Sequence, residues 1–380
     1  MPPRALPSRF PLVARTGIVI WQFVIVLTCV LPILSAHAKE TTLRIFGWGD
    51  YLDQQALDKF TTATGIKVHY DVYSSLAELE ATVALAHSGY DIIMPTNEPT
   101  LSRLVRGDRL APIDRNKVPN WRNLDPALMR MVAPADPGNK YGAIYLWGTL
   151  GLGMLPDKVR ALVPNVPLDS LDLLFKPENA QRLQGCGITI LDSPPEVVPT
   201  VLYYLGLSPS STSATDLAAV ERTLIGIRPY IRTFSTTSAL ETLANGSTCL
   251  ALAFSGNVLQ AVDRAKAANR GVNVAYYAPS GGAQVSFDVL AIPRDAPNKD
   301  AANVFINFIL QPEIIAGISN VTRYANAVPA SHPMIDPALL NDPNAFPTDK
   351  EMATTYTPGP VTLAPKMARN QMWKRFKEAR

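Results

Sequence analysis

The stretch Leu43–Tyr51, LRIFGWGDY, joins a predicted strand to residues suited to binding a cation. Its apolar, β-branched beginning predicts a buried strand, which the following glycines end. Trp48, Asp50 and Tyr51 then lie at the carboxyl end of that strand, where ligands bind in open α/β sheets. Aromatic faces and a carboxylate together attract an organic cation through cation–π contacts and a charge-assisted hydrogen bond.

The same residues also fit a purely structural explanation. Trp48 could belong to the hydrophobic core, and Asp50 is well placed to cap a helix that begins at Leu52. Spacing alone favours neither explanation. The cation site is therefore one of two hypotheses that the local sequence leaves open.

Strand and helix patterns alternate after this stretch, which predicts a parallel sheet with right-handed crossovers. Strands are predicted at 43–46, 66–73 and 91–95, and helices at 52–64 and 75–87, the second of them capped by Ser75. The glycine-rich apolar segment 141–154 predicts strands that leave this first lobe. Beyond it the patterns predict, ahead of a proline-rich tail, helices at 197–205, 216–227, 256–269, 299–310 and 313–318 and strands at 248–254, 272–278 and 287–292.

Residues 1–38 have the pattern of a secretory signal. Three arginines and no acid precede an apolar run from Gly17 to Leu34, and the small residues that follow predict cleavage after Ala38. Cys29 would leave with the peptide. Because the run is long enough to span a bilayer, an uncleaved anchor is the alternative.

Charge and length exclude several functional classes. The whole chain has 35 Lys+Arg and 32 Asp+Glu, and loss of the three signal arginines leaves 32 of each. A neutral mature chain without a basic stripe argues against nucleic-acid binding, and no second long apolar segment predicts a membrane domain. The remaining length of about 340 residues exceeds a comfortable single core, which favours two domains with a cleft between them.

Two cysteines remain after the signal, Cys186 and Cys249. An even pair in an exported protein predicts a disulfide, with two free buried thiols as the alternative. The mature histidines, His69, His87 and His332, are widely spaced, which argues against a zinc site. We therefore expect neither a metal ion nor another cofactor.

A series of phrases in the mature chain resembles the periplasmic polyamine-binding proteins of ABC importers, above all the putrescine-binding type. The phrases that carry this resemblance are GWGDYL (47–52), TGIKVHYDVY (64–73), YDIIMP (90–95), NLDP (123–126), KPEN (176–179), CGITILDSPPEV (186–197), GNVLQAVDRAKAANRGVNV (256–274), FDVLAIP (287–293) and RYANA (323–327). The resemblance implies a periplasmic-binding-protein type II fold, with two α/β lobes, a hinge and a ligand cleft. It also implies a periplasmic monomer without catalysis that delivers a polyamine to a membrane permease.

The resemblance implies a division of the chain and a set of ligand residues. The first lobe would comprise 39–146 and 286–322, and the second lobe 147–285 and 323–380. Asp288 would grip one ammonium group, Glu196 would face the far amine, and Tyr324 would lie beside the hinge. The full implied ligand set is Trp48, Gly49, Asp50, Tyr51, Thr96, Glu196, Phe254, Asn257, Ser286, Asp288 and Tyr324. Cys186 and Cys249 match the family's disulfide.

Four of these positions depart from the family pattern. Gly49 lacks the usual hydroxyl, Phe254 replaces a tryptophan, Asn257 replaces an aspartate and Ser286 replaces a phenylalanine. A phenyl ring is a weaker cation site than indole, and an amide carries no net charge. The departures therefore predict weak putrescine binding, unless the acid Glu98 in a neighbouring loop compensates.

Other functions are compatible with parts of this pattern. The same fold could bind another organic cation, such as a guanidino compound or a basic amino-acid derivative. It could also present its ligand to a receptor as a sensor. A secreted hydrolase is disfavoured, because no G-x-S-x-G elbow accompanies the scattered histidines.

Overall fold

The computed structural model describes residues 41–85 and 87–379. The predicted signal, including Cys29 and the cleavage site after Ala38, lies outside these residues, as does Ala86 near the end of a predicted helix. Within the described ranges, no single helix is long and apolar enough to cross a membrane. The helices Lys299–Ile309 and Pro312–Thr322, bent by 78°, meet that criterion of length and composition only as a pair.

The strands of the described residues form one mixed sheet. They are β1 (Thr42–Gly47), β2 (Lys67–Val72), β3 (Ile92–Ile93), β4 (Leu110–Ala111), β5 (Gly142–Met154), β6 (Ile188–Ile190), β7 (Thr233–Phe234), β8 (Leu250–Phe254), β9 (Ala275–Tyr277), β10 (Gln284–Pro293) and β11 (Ala325–Asn326). The main order is β2-β1-β3-β10-β5-β8-β6-β7, with β4 beside β10 and with β9 and β11 beside β5. β1 pairs in parallel with both β2 and β3, which confirms the parallel arrangement predicted for this part of the chain.

The α-helices of the described residues connect these strands and form the C-terminal region. They are α1 (Gln54–Thr64), α2 (Leu76–Ala84), α3 (Ser102–Arg106), α4 (Pro126–Val132), α5 (Pro156–Leu162), α6 (Asp172–Phe175), α7 (Pro177–Leu183), α8 (Pro194–Tyr204), α9 (Ala214–Ile227), α10 (Ala239–Ala244), α11 (Ser255–Ala268), α12 (Lys299–Ile309), α13 (Pro312–Thr322), α14 (Pro337–Leu340), α15 (Asp349–Met352) and α16 (Leu363–Glu378). Most predicted helices are therefore present, with ends shifted by a few residues.

Capping side chains explain where the first two helices begin. Asp53 caps α1 by accepting a 3.0 Å hydrogen bond from the Gln55 N–H, and Gly65 ends the helix with a left-handed φ of 72°. The helix therefore begins two residues later than predicted, and the hypothesis that Asp50 caps it is wrong. Ser75 caps α2, as predicted.

Two hydrophobic cores share the long strand β5. Residues 143–147 of that strand belong to the first core, together with β1, β3 and β10, whereas Leu150, Leu152 and Met154 belong to the second core with β6 and β8. We call the parts of the chain around these cores the first lobe and the second lobe. The predicted α/β fold with two lobes is confirmed.

The C-terminal region is divided between the lobes. The prediction assigned all of 323–380 to the second lobe, but Tyr324 and Val328 pack in the first core, so that assignment is wrong where the segment begins. Near the end of the chain, α16 packs into the second core. No helix was predicted there. The other lobe boundaries stay a prediction.

Cys186 and Cys249 form a disulfide in the second lobe, as predicted. Their Cα atoms are 5.5 Å apart, because Cys186 lies just before β6 and Cys249 lies just before the parallel neighbour β8. The bridge joins residues that are 63 positions apart in sequence. It therefore restricts the unfolded chain much more than it shapes the local backbone.

Replacing both cysteines with alanine, by Cys186→Ala and Cys249→Ala, is expected to lower the free energy of unfolding by about 2–5 kcal/mol, because the unfolded chain gains conformational entropy. Urea unfolding followed by circular dichroism measures this change. Reduction of the wild-type protein is the control and should produce a similar loss. Equal stability of the oxidised wild type and the double variant would contradict the expectation.

Candidate functional site

A cavity lies between the two lobes, next to the carboxyl ends of β1 and β8. Its volume is about 160 Å³. All of the ligand residues predicted from the resemblance line this one cavity, namely Trp48, Gly49, Asp50, Tyr51, Thr96, Glu196, Phe254, Asn257, Ser286, Asp288 and Tyr324. The fold therefore brings together residues from the beginning, middle and end of the chain.

The end of β1 places Trp48 at the cavity. The strand ends at Gly47, where a Cβ atom would overlap the Tyr70 side chain. The Tyr70 hydroxyl donates a hydrogen bond to the Trp48 carbonyl oxygen, and the indole lies against Tyr73 with 4.4 Å between ring centroids. These contacts hold the backbone and one part of the indole, so that Trp48 presents aromatic surface to the cavity.

Asp50 lies at the rim of the cavity. Its backbone adopts a left-handed φ of 53°, and its side chain is 60% exposed and lies 3.2 Å from Nη2 of Arg264 in the second lobe. Arg264 also pairs with Glu241. The predicted ligand acid therefore already has a cationic partner from the opposite lobe, 214 positions away in sequence.

Asp288 extends from β10 into the cavity. The Tyr51 hydroxyl donates a 2.6 Å hydrogen bond to its Oδ2 atom, whereas its Oδ1 atom is buried without a hydrogen-bond partner. Burial raises the pKa of Asp288 to about 7, although the Tyr51 and Trp48 side chains oppose this rise. A charged donor in the cavity would meet an acceptor that the protein leaves unsatisfied.

Glu196 faces the same cavity from the second lobe and is only 4% exposed. It is the third residue of α8, and the hydroxyl of Ser193, the N-cap residue, donates to its carboxylate. Because α8 begins at Pro194, three residues earlier than predicted, Glu196 lies inside the first turn of the helix. Burial and then the charge of Asp288 raise the pKa of Glu196 to about 8. The two acids therefore disfavour each other's ionisation.

Three aromatic side chains form a wall of the cavity. Tyr51 meets Tyr324 edge to face, with 5.0 Å between ring centroids. Phe254 ends β8 and packs against both cores. The Tyr324 ring fits only because Gly256 and Gly148 have no side chains, since a Cβ at either position would press on the ring. These two glycines are required for the wall although they contribute no aromatic surface.

The positions that depart from the family pattern surround the two acids. Asn257 is in the first turn of α11, and Ser286 is in β10 two residues before Asp288. Gly49 leaves room for a larger residue, because a Cβ there would lie 3.5 Å from Cγ1 of Val72, an ordinary van der Waals distance. Thr96 keeps a hydroxyl at the cavity, and its Oγ1 atom is buried without a hydrogen-bond partner.

Six cavity residues were not predicted: Gly148, Leu191, Ser193, Thr236, Thr237 and Leu240. Most of them come from second-lobe segments whose position depends on pairing between distant strands. Only Ser193 had a local signal, because a serine before a proline is typical of a helix N-cap. Glu98 lines a separate, smaller pocket, so the hypothesis that it compensates inside the cavity is wrong.

The donor set of the cavity determines which ligands suit it. Across the part of the chain that the structure describes, no group of three or more His, Cys, Asp or Glu side chains could hold a metal ion. The cavity instead combines the carboxylates of Asp288 and Glu196, the rim carboxylate of Asp50, aromatic faces and hydroxyl groups. Such a set suits an organic cation with ammonium or guanidinium groups. The fold and the cavity together define a two-lobed ligand-binding protein.

Comparison with known proteins specifies the family. The chain belongs to the bacterial extracellular solute-binding protein family, whose sequence model matches residues 55–348. The putrescine-binding periplasmic protein SpuD of Pseudomonas aeruginosa UCBPP-PA14 is 40% identical over 348 residues, covering 91% of this chain and 95% of SpuD. The putrescine-binding periplasmic protein PotF of Escherichia coli K12 is 41% identical over 322 residues, covering 84% of this chain and 87% of PotF.

Solved structures share the same fold. A structure from Listeria monocytogenes superposes with a TM-score of 0.80 at 28% identity and covers 90% of this chain and 100% of its own. The spermidine/putrescine ABC transporter substrate-binding protein PotD of Streptococcus pneumoniae superposes with a TM-score of 0.73 at 24% identity, over 90% of this chain and 99% of PotD. The family and the fold that the resemblance implied are thus confirmed.

Proposed function

We propose that this chain is the periplasmic binding component of an ABC importer and that it binds a di- or polyamine without changing it chemically. The observation that carries this proposal is a pair of carboxylates at one aromatic-lined cavity, the partly buried Asp288 of the first lobe and the buried Glu196 of the second. A ligand with two ammonium groups would neutralise both charges at once. The relatives named for putrescine binding support the same class of ligand.

The proposal includes a cellular context for the bound amine. The signal at 1–38 would export the chain, and the mature monomer would deliver its ligand to permease subunits in the inner membrane. Because the cavity is lined from both lobes, a ligand that contacts both would favour their closure. The alternative is a sensor, in which the closed protein presents the same ligand to a receptor.

The departures from the family pattern favour a ligand other than putrescine alone. Asn257 contributes no charge where a second acid is expected near the ammonium group held by Asp288. Ser286 and Phe254 leave more room than a phenyl and an indole group would. We therefore infer weak putrescine binding and a preference for a longer polyamine or for an amine that carries a guanidinium group.

Titration of purified residues 39–380 with amines tests the proposed function. Putrescine, spermidine and a guanidinium-bearing amine are compared by thermal unfolding, where a ligand at 100 times its dissociation constant should add about 2.7 kcal/mol to the free energy of unfolding. The uncharged diol with the carbon chain of putrescine is the matched control and should leave stability unchanged. If none of the amines stabilises the chain, the proposed ligand class is wrong.

Restoring the missing acid, by Asn257→Asp, is expected to strengthen putrescine binding by roughly 10- to 100-fold, because it adds a charge-assisted hydrogen bond in a closed site. The fold should tolerate this change, since an acid in the first turn of α11 interacts favourably with the helix dipole. Titration calorimetry measures the affinity.

The matched control for this variant is Asn273→Asp, which adds the same charge at an exposed position outside the cavity. It should bind putrescine as the wild type does. A wild-type chain that binds putrescine as tightly as Asn257→Asp would refute the explanation given for the departures.

A further inference from the structure

Helix α16 spans the two lobes along one edge of the cleft. Its C-terminal half packs in the second core through Met372, Trp373 and Phe376. Its N-terminal half reaches the first lobe, where Lys366 Nζ lies 2.7 Å from Glu80 Oε2 in α2. The helix is therefore anchored in one lobe and tied by an ion pair to the other.

A small pocket lies beside this ion pair, between the lobes and next to the ligand cavity. Its volume is only about 20 Å³, and the first lobe contributes Glu98 and Arg103 to its lining. The second lobe contributes Arg369 and Lys366 of α16. Much of the remaining wall is formed by proline residues, which have no N–H group to donate: Pro99, Pro194, Pro195 and Pro358.

Two opposite charges are buried around this pocket, and each has an unsatisfied atom. Glu98 is 8% exposed; its Oε2 accepts a 2.7 Å hydrogen bond from the Ser102 hydroxyl, but its Oε1 has no partner. Arg369 is 4% exposed; one Nη atom donates to the Ser211 carbonyl oxygen at 2.7 Å, but its Nε has no partner. Burial raises the pKa of Glu98 and lowers that of Arg369 to about 10.

The neighbouring cations are already engaged. Arg103 and Lys366 both pair with Glu80, which leaves Arg369 as the pocket cation whose guanidinium has a buried N–H free for Glu98. Buried charges are strongly disfavoured until they are paired. A direct hydrogen bond from Arg369 Nε to Glu98 Oε1 would satisfy both unpartnered atoms at once.

We propose that Glu98 and Arg369 form an ion pair across the lobes when the cleft closes, and that this pair fastens α16 over the edge of the cleft beside Glu196. The pair would act together with the bond between Lys366 and Glu80. The inference rests on the proposed closure of the cleft, but not on the ligand being an amine.

Interlobe distances in four proteins test the pair: the wild-type mature chain, Glu98→Gln, Arg369→Gln and the double variant. Spin labels are attached through Val304→Cys in the first lobe and Ile225→Cys in the second, both exposed positions. Distances are measured without ligand and over a putrescine titration. Each single variant should lower the ratio of closed to open molecules by about fivefold or more, because it leaves one buried charge without its partner. The double variant should lower the ratio no further than the more affected single variant, because both substitutions remove the same ion pair.

Arg375→Gln is the matched control, because Arg375 lies on the same helix but pairs with Glu221 inside the second lobe. Its distance distribution should match that of the wild type. Two results would overturn the proposal. One is that all proteins show the same distance distribution at every putrescine concentration. The other is that the fold-changes of the two single variants simply multiply in the double variant. A wild-type chain that does not respond to putrescine contradicts closure by putrescine, whereas the ligand-free measurements still decide the ion pair.

Discussion

The Asp288→Asn variant is expected to lose more than about 100-fold in affinity for every cationic ligand, because it removes one partner of a buried, hydrogen-bonded charge pair. The amide oxygen can still accept the hydrogen bond that the Tyr51 hydroxyl donates to Asp288. The substitution therefore removes the charge while it keeps the shape and the main contact of the side chain. Titration calorimetry with putrescine and spermidine measures the loss.

The same substitution should stabilise the ligand-free chain. The pKa of Asp288 is about 7 in the folded protein against an ordinary value of 3.8, so folding disfavours its ionisation. Ionisation of Asp288 therefore lowers the free energy of unfolding. This loss is absent below the pKa of the unfolded chain, grows as the pH rises toward the pKa of the folded chain, and is complete above it. At pH 8 we expect Asp288→Asn to raise the free energy of unfolding by on the order of 2 kcal/mol.

Two measurements separate this explanation from simple damage to the fold. Asp300→Asn serves as the matched control, because Asp300 is an exposed acid that pairs with Lys117 at the surface; it should change neither affinity nor stability. Loss of binding together with loss of stability in Asp288→Asn at pH 8 would show that the carboxylate is structural. Unchanged affinity would remove Asp288 from the binding site.

Ligand affinity should also depend steeply on pH. The pKa of Asp288 is about 7 and that of Glu196 about 8 in the ligand-free protein, and an ammonium ligand binds the ionised forms. An alkylamine stays protonated throughout the range between pH 6 and 8, so only the protein titrates. Affinity should therefore fall as the pH falls, by on the order of 100-fold between pH 8 and pH 6.

Calorimetry at pH 6, 7 and 8, repeated in buffers of different ionisation enthalpy, measures both the affinity and the protons released on binding. Glu196→Gln is the informative variant, because it removes one of the two titrating groups and should flatten the dependence. The two acids influence each other, so the remaining step belongs to Asp288 without its charged neighbour. An affinity that is constant from pH 8 to pH 6 would contradict the assignment of both acids to the ligand.

Short-range patterns were sufficient for much of the first lobe. The strand, the break at Gly47 and the helix cap at Ser75 were all identified correctly, because each depends on interactions within a few residues. The disulfide was also identified, since an exported chain with two remaining cysteines offers one pairing. The ordered family phrases located residues that meet in one cavity, although periodicity alone could not have brought Trp48 and Tyr324 together.

Other features of the site depend on contacts between segments that are distant in sequence. Asp50 pairs with Arg264, and Glu98 lies in a pocket with Arg369; neither pairing has a local signal. Helix α16 was missed because its sequence is polar around most of its surface, and a few large apolar residues anchor it in the second core. The raised pKa values of the two cavity acids have the same origin, because burial is a property of the whole fold and cannot be read from neighbours in sequence.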